Sequence, residues 1–138
     1  MRREGMRSLS AVTLAATLVL PVTACSSGDA ARCEEAFTAV ATSVPGVASA
    51  EWDCNDGFGG GWVRGDVVVE ASTEDEAVAV VDAVLQAFAA SPDLEDSWST
   101  PHEYKSEDGS IVVSAGDVGF PAVPNVGEVR ERYGITPG

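Results

Sequence analysis

The two cysteines at positions 33 and 54 most constrain the fold, because they stand in segments of different periodicity. Cys33 shares a predicted helical face with Phe37, whereas Cys54 alternates with Trp52 on one face of a predicted strand. Both thiols should therefore point into one core, where a disulfide would join a helix to a strand. The alternatives are two buried free thiols or a metal site, but two cysteines without nearby histidine ligands make a poor metal site.

The N-terminus has the pattern of a targeting segment. A basic start that contains Arg2, Arg3 and Arg7 precedes an apolar run of about 14 residues from Leu9 to Val22. That length suits a signal peptide and falls short of the roughly 20 residues that span a bilayer as a helix. The basic start favours retention of this end on the cytoplasmic side.

The apolar run ends in Val22-Thr23-Ala24-Cys25, an aliphatic residue and two small residues before a cysteine. With the segment before it, this motif resembles the export signals of bacterial lipoproteins, a likeness that covers residues 1 to about 30. The resemblance implies that residues 1–24 are removed and that the Cys25 thiol carries a diacylglycerol. Residues 25–30 would then be a lipidated tether on the outer face of the cell membrane. The alternative is an ordinary secretory signal that merely ends near a cysteine.

Composition limits the partners of the exported part. Five of the eight basic residues and 21 of the 22 acidic residues follow residue 24, a net charge of −16. Such a surface repels nucleic acid and anionic lipid headgroups, so it argues against a nucleic-acid partner and against a second membrane contact. The acidity either serves solubility or attracts cations or a basic partner. The high content of Ala, Val, Gly and Asp resembles that of actinobacterial proteins.

Export also bears on the two remaining cysteines. An oxidising compartment favours a disulfide between Cys33 and Cys54. Closing a loop of about 20 residues would stabilise the fold by roughly 3 kcal/mol in the chain-entropy model.

Residues 31–138 are predicted to form a single α+β domain, a small antiparallel sheet of about four strands with two or three helices packed on one face. The first two strands should form a hairpin with a glycine-rich tip. Along the first strand, Ala48, Ala50, Trp52 and Cys54 are predicted to face inward. The predicted elements are a helix over 31–43, strands over 47–54 and 62–71, a helix from 73 to about 90, an irregular strand over 98–105 that Pro101 weakens, a strand over 110–116, and a helix starting near 125.

The second helix has the clearest signals. Thr73 and Glu76 fit a capping box, in which each side chain accepts a hydrogen bond from the other residue's backbone amide. A stripe of apolar residues at helical spacing follows, and Ser91-Pro92 ends the helix. The stripe consists of Ala77, Val81, Val84, Leu85 and Phe88.

The hairpin tip is the predicted contact surface. Phosphate binding is a poor interpretation of Gly57 to Gly61, since no helix or lysine follows and the spacing matches no phosphate-binding motif. Phe58 and Trp62 could instead anchor a partner, because exposed aromatic residues are common anchors. Trp62 could equally pack across the strands.

Two acidic segments raise the question of a cation site. Asp53, Asn55 and Asp56 precede Gly57, but the EF-hand pattern requires an oxygen ligand at the glycine position. The acidic residues between positions 93 and 96 are most simply a solvated loop. We therefore predict no metal and no cofactor, and a weak irregular cation site is the alternative.

Catalytic motifs are not evident. The single histidine, His102, has Ser99, Ser106 and Ser110 near it in sequence, but nothing resembles a GxSxG nucleophile elbow. His102 alternates with Trp98 and Tyr104, which predicts a half-buried strand face. The sequence thus favours a non-catalytic lipid-anchored domain that binds an envelope protein or a cell-wall component. The alternative is a lipoprotein that binds a small molecule or a cation.

Overall fold

A computed structural model of the chain describes residues 28–55 and 61–138. The predicted α+β class is confirmed within these residues. Cys25, Phe58, Asp56 and the signal segment lie outside them. The elements are α1 Gly28–Thr42, β1 Val47–Asn55, β2 Trp62–Val69, α2 Glu74–Ala90, β3 Tyr104–Ser106, β4 Val112–Val113, α3 Ala115–Val118 and α4 Val126–Tyr133.

The four strands form one mixed sheet in the order β1-β2-β3-β4. β1 with β2 and β3 with β4 are antiparallel, but β2 and β3 run parallel, with Val67 opposite Tyr104. The prediction of an antiparallel sheet is therefore wrong at this central pair. The reason is the connection: the chain leaves β2, crosses over through α2 and re-enters the sheet in the same direction.

Helices α1 and α2 pack on the same face of the sheet. Phe37 of α1 stacks on Trp52 of β1 with ring centroids 5.0 Å apart, and Phe88 of α2 meets Trp52 edge-on at 5.9 Å. The outward residues Glu51 and Asp53 of β1 are exposed, as period-two alternation requires. Apolar burial is therefore concentrated between this sheet face and the two helices.

Two boundaries of the first elements differ from the prediction. The predicted tether reaches residue 30, but α1 already begins at Gly28, with Asp29 in its first turn and Ala30 packed against the core. An acidic residue at a helix N-terminus is favourable. Ala48, predicted to face inward, is exposed because the register between β1 and β2 shifts between Val47 and Ser49.

The start of α2 is capped almost as predicted. The Thr73 side chain accepts a hydrogen bond from the Glu76 backbone amide at 3.2 Å. The Glu76 carboxylate accepts from the amide of Ser72 at 2.8 Å, one residue before the predicted Thr73. The predicted apolar stripe of α2 is fully buried.

The C-terminal third is less regular than predicted. Residues 98–103 form no strand and contribute a single isolated bridge between Ser99 and Asn125. The helix near residue 125 is confirmed as α4, which Asn125 caps at its N-terminus and Gly134 at its C-terminus. Gly134 has a φ of 63°, a conformation that glycine adopts without strain. The short helix α3 was not predicted.

Arg130 of α4 binds the end of α2 and the loop that follows it. Its guanidinium donates to the backbone carbonyls of Ala89 at 3.0 Å, Ser91 at 2.5 Å and Leu94 at 2.9 Å. It also pairs with the Asp96 carboxylate, and its side chain is only 12% exposed. A helix end exposes carbonyls that lack partners within the helix, so Arg130 acts as a cap contributed by another helix.

Replacing Tyr104 with phenylalanine is expected to stabilise the protein by about 1 kcal/mol. Tyr104 is fully buried, and its hydroxyl has no hydrogen-bond partner among the described residues. Burial also raises the pKa of this hydroxyl above its ordinary value. Tyr133→Phe is the matched control, since the Tyr133 hydroxyl donates to Asp82 at 2.5 Å and its loss should be destabilising. Urea unfolding of both variants checks this, and the same sign for both would contradict it.

The turn after β3 should make stability depend on acidic pH. The Asp108 carboxylate accepts from the Ser110 amide at 3.0 Å, the Ser110 hydroxyl at 2.7 Å and the Ser106 hydroxyl at 2.8 Å. These bonds lower the pKa of Asp108 from 3.8 to about 2. A lowered folded-state pKa gives stability that is present above about pH 4 and is lost as pH falls towards 2.

Asp108→Asn should therefore show a shallower fall in melting temperature than the wild type between about pH 4 and pH 2. Ser110→Ala removes one of the three donors and should give an intermediate slope. Thermal unfolding across this pH range is the measurement. Superimposable slopes for all three proteins would contradict the assignment.

Candidate functional site

A cleft of about 700 Å³ lies where α1 begins, β1 ends and β2 starts. The loop before β3 contributes a further part of its lining. Three segments that are distant in sequence therefore build it. Its lining residues are Asp29, Ala30, Cys33, Cys54, Asn55, Gly61, Trp62, Val63, Arg64, Ser97, Trp98, Ser99 and His102.

The predicted disulfide between Cys33 and Cys54 is present and forms part of the cleft wall. The two Cα atoms are 6.3 Å apart, and both side chains are buried. The Cys54 amide donates to the Glu34 carboxylate at 3.1 Å, a second link between α1 and β1. The disulfide therefore fixes two walls of the cleft to each other, a role that the sequence did not indicate.

Trp62 and Arg64 line the cleft from β2. Trp62 is 37% exposed, and its role as a contact residue stays a prediction. Its i+2 neighbour Arg64 lies on the same face of β2, with the guanidinium carbon 4.5 Å from the Trp62 ring centroid. This stacking holds a flat, donor-rich group at the mouth of the cleft.

Trp98 and His102 line the cleft from the loop before β3. Trp98 is half-buried, with its ring centroid 5.8 Å from that of Phe37 and Arg32 at 5.7 Å from its ring. His102 is exposed, so its predicted place on a half-buried strand face is wrong. The buried Pro101 interrupts the alternation and cannot donate to a strand ladder.

The cleft is less acidic than the chain as a whole. Among the described residues that line it, Asp29 is the one carboxylate, and Arg32 lies 3.9 Å from it. Arg64 supplies a positive charge to the same lining, and His102 supplies an imidazole. In a chain of formal net charge −14, this is a local departure from the overall acidity.

The predicted serine neighbours of His102 are only partly brought together. Ser99 and also Ser97 line the same cleft as His102, whereas Ser106 and Ser110 belong to the Asp108 turn. Within the described part of the chain, no hydrogen bond joins His102 to a serine hydroxyl or a carboxylate. The described residues of the cleft thus supply hydrogen-bond donors and acceptors that are not joined to one another through His102.

The two acidic segments have different surroundings. Asp53 is exposed on β1, and Asp56 and Gly57 lie outside the described residues. In the later segment, Glu95 pairs with Arg32 at 2.7 Å and Asp96 pairs with Arg130. The solvated-loop prediction is therefore incomplete, because two of these carboxylates are engaged in ion pairs. In residues 28–55 and 61–138, no group of three or more His, Cys, Asp or Glu side chains is arranged to hold a metal ion.

No protein-family model, curated protein or solved structure matches this chain. Over the described ranges, no helix has both the length and the apolar character needed to cross a membrane.

Sequence reasoning singled out Trp62 and both cysteines, named Trp98, Ser99 and His102 only in other roles, and did not single out Arg64 as a site residue. A tryptophan and an arginine at i, i+2 on a strand next to a glycine-rich tip is the signal that could have found Arg64. Nothing local in the sequence links Trp98 or Asp29 to this end of the sheet.

Proposed function

We propose that this protein is a lipid-anchored, non-catalytic binding domain on the outer face of a bacterial cell membrane, and that it holds a component of the cell envelope in the cleft. The observation that carries the proposal is the cleft itself. Ligand sites are typically concave, several hundred Å³ in volume, and lined by aromatic side chains with a few convergent polar groups. Trp62, Trp98, Arg64 and His102 provide this combination in a cleft of about 700 Å³.

The position of the cleft supports a role close to the membrane. Gly28, the first residue of α1, follows Cys25 by three residues, and Asp29 and Ala30 already line the cleft. Three residues of extended chain span at most about 11 Å. Lipidation of Cys25 would therefore hold the cleft next to the bilayer surface, where local concentration favours encounters with envelope components.

The test is a titration of the lipidated protein, purified from membranes in a detergent without a sugar head, with muropeptides from digested peptidoglycan. Tryptophan fluorescence reports binding, because Trp62 and Trp98 line the cleft. Ser99→Trp fills the cleft and should abolish a saturable response. Val123→Trp places the same bulk at an exposed site outside the cleft and should leave the response unchanged.

The same preparation tests the anchor. Its intact mass should exceed that of residues 25–138 by a lipid increment, and Cys25→Ser should move the protein out of the membrane fraction. An unmodified mass in the soluble fraction would contradict the anchored function. A muropeptide response that Ser99→Trp leaves intact would contradict the cleft as the site.

A second candidate function is the binding of an envelope protein through Trp62 at the hairpin end. Its support is the 37% exposure of this tryptophan on the face of β2 that also carries the exposed Arg64 and Asp66. In-cell crosslinking of the wild type and of Trp62→Ala separates the two functions. A single protein partner that is lost in Trp62→Ala would favour this candidate.

A further inference from the structure

We propose that the cleft binds a ligand carrying a carboxylate or phosphate next to a ring, and that Arg64 is the residue that binds the anion. This inference rests on the proposed function and adds the chemical class of the ligand. Three observations support it: Arg64 forms no ion pair with a carboxylate of the described residues, the lining holds few charges, and two tryptophans line the cleft.

Arg64 is placed to bind an anion from outside the chain. Its neighbour across the strands is Asp53, yet no ion pair joins Arg64 to Asp53 or to another carboxylate of the described residues. The guanidinium lies instead over the Trp62 ring at 4.5 Å. Stacking on an aromatic face leaves the N–H groups at the rim of the guanidinium available, in a fork that matches a carboxylate or a phosphate.

Other basic residues of this acidic chain are already paired with carboxylates. Arg32 pairs with Glu95 at 2.7 Å, and Lys105 pairs with Glu103 at 3.1 Å. Arg132 is the useful comparison, because it too stacks on an aromatic ring, Phe120, at 4.7 Å, but it does not line the cleft. Among the described residues, Arg64 and Arg132 are thus the arginines that stack on a ring without an ion pair to a carboxylate, one at the cleft and one elsewhere.

The remaining cleft wall accommodates an anion with an attached ring. Asp29 is the one carboxylate among the described lining residues, and Arg32 lies 3.9 Å from it but is closer to Glu95, at 2.7 Å. At physiological ionic strength, charges more than about 8 Å from the cleft are largely screened, so distant acidic surfaces oppose the anion weakly. Asp53, the cross-strand neighbour of Arg64, is nearer and offsets part of the guanidinium charge. A cleft of about 700 Å³ is far larger than one carboxylate needs, and Trp62 and Trp98 offer indole surface to the rest of the ligand.

The shared chemistry is an anionic ring, which could come from a soluble glycan fragment or from a lipid headgroup. Methyl glucuronide carries a carboxylate at the ring position where methyl glucoside carries a hydroxymethyl group. Titrated against the lipidated protein, the glucuronide should bind at least about tenfold more tightly, the preference that one charge-assisted contact supplies. Arg64→Gln should remove this preference, whereas Arg132→Gln should retain it.

A second arm distinguishes the two sources. The lipidated protein is reconstituted in phosphatidylcholine vesicles that carry either glucuronosyl or glucosyl diacylglycerol, and soluble methyl glucuronide is titrated in. Weaker apparent binding of the soluble glycoside in the glucuronosyl vesicles supports a headgroup source. Unchanged binding supports a soluble source. Both results support an anionic ring as the chemical class of the ligand.

Equal affinity for the two soluble glycosides, or a preference that survives in Arg64→Gln, overturns the inference and leaves the proposed function standing. The absence of a saturable response to the glucuronide also overturns it. If the muropeptide titration fails as well, the proposed function falls with it.

Discussion

Arg130→Met is expected to lower the free energy of unfolding by about 3 kcal/mol or more. The substitution keeps most of the apolar stem but removes the donors to the carbonyls of Ala89, Ser91 and Leu94. It also leaves the Asp96 carboxylate without its ion pair. Since the arginine side chain is only 12% exposed, water can replace these donors only in part.

Urea unfolding of Arg130→Met, Arg130→Lys and Arg132→Met measures this effect. Lysine keeps the charge but lacks the planar fork, so it should recover only part of the loss. Arg132→Met removes the same charge from the same helix, where the guanidinium contacts the Phe120 ring, and should cost well under about 1 kcal/mol. A cost for Arg130→Met equal to that of Arg132→Met would contradict the capping role.

The second large effect concerns the disulfide. Replacing Cys33 and Cys54 together with alanine should lower the free energy of unfolding by about 3 kcal/mol, because the unfolded chain regains the freedom of the closed loop. The two cysteines are 21 residues apart, and both line the cleft. Weaker muropeptide binding should therefore accompany the loss of stability.

A reducing agent gives the internal control. It should destabilise the wild type by a similar amount and leave the Cys33→Ala/Cys54→Ala variant unchanged. Equal urea midpoints for oxidised wild type and the double variant would contradict the stabilising role. Unchanged ligand affinity in the folded double variant would contradict the role of the disulfide in shaping the cleft.

Local signals were sufficient for parts of the fold. The Thr73 cap and the apolar stripe ending at Phe88 predicted the bounds of α2 to within one residue. Both signals depend on residues that are close in sequence within a single helix. The cysteine pair was predictable because helical and strand periodicities both pointed the thiols inward.

Non-local choices were not predictable in the same way. Alternation along β2 and β3 indicates which side chains are buried. It does not indicate which strands are neighbours or whether they run parallel, so the parallel pairing of Val67 with Tyr104 was missed. Trp52 illustrates the same limit. Its ring covers Gly65 of β2 so closely that a Cβ there would lie 2.5 Å from a ring atom, and no local pattern links the two positions.

The cleft was the hardest feature to predict, because it exists only where three distant segments meet. Trp62 was found through its position beside the glycine-rich tip. Trp98 and His102 were assigned to a strand because they alternate, but the buried Pro101 between them prevents a regular strand. Arg64 was missed although it stands two residues after Trp62, on the same face of β2.

In-cell photo-crosslinking from position 62 tests the central claim most directly. Trp62 is replaced with p-benzoylphenylalanine, cells that contain this variant are irradiated, and the intact mass of the protein is measured. A variant with the same replacement at Val123, an exposed residue outside the cleft, is the control. The account predicts a discrete non-protein adduct at position 62 that disappears when Ser99→Trp fills the cleft and does not form at position 123. Identical adducts at both positions, or adducts that persist in Ser99→Trp, would contradict it.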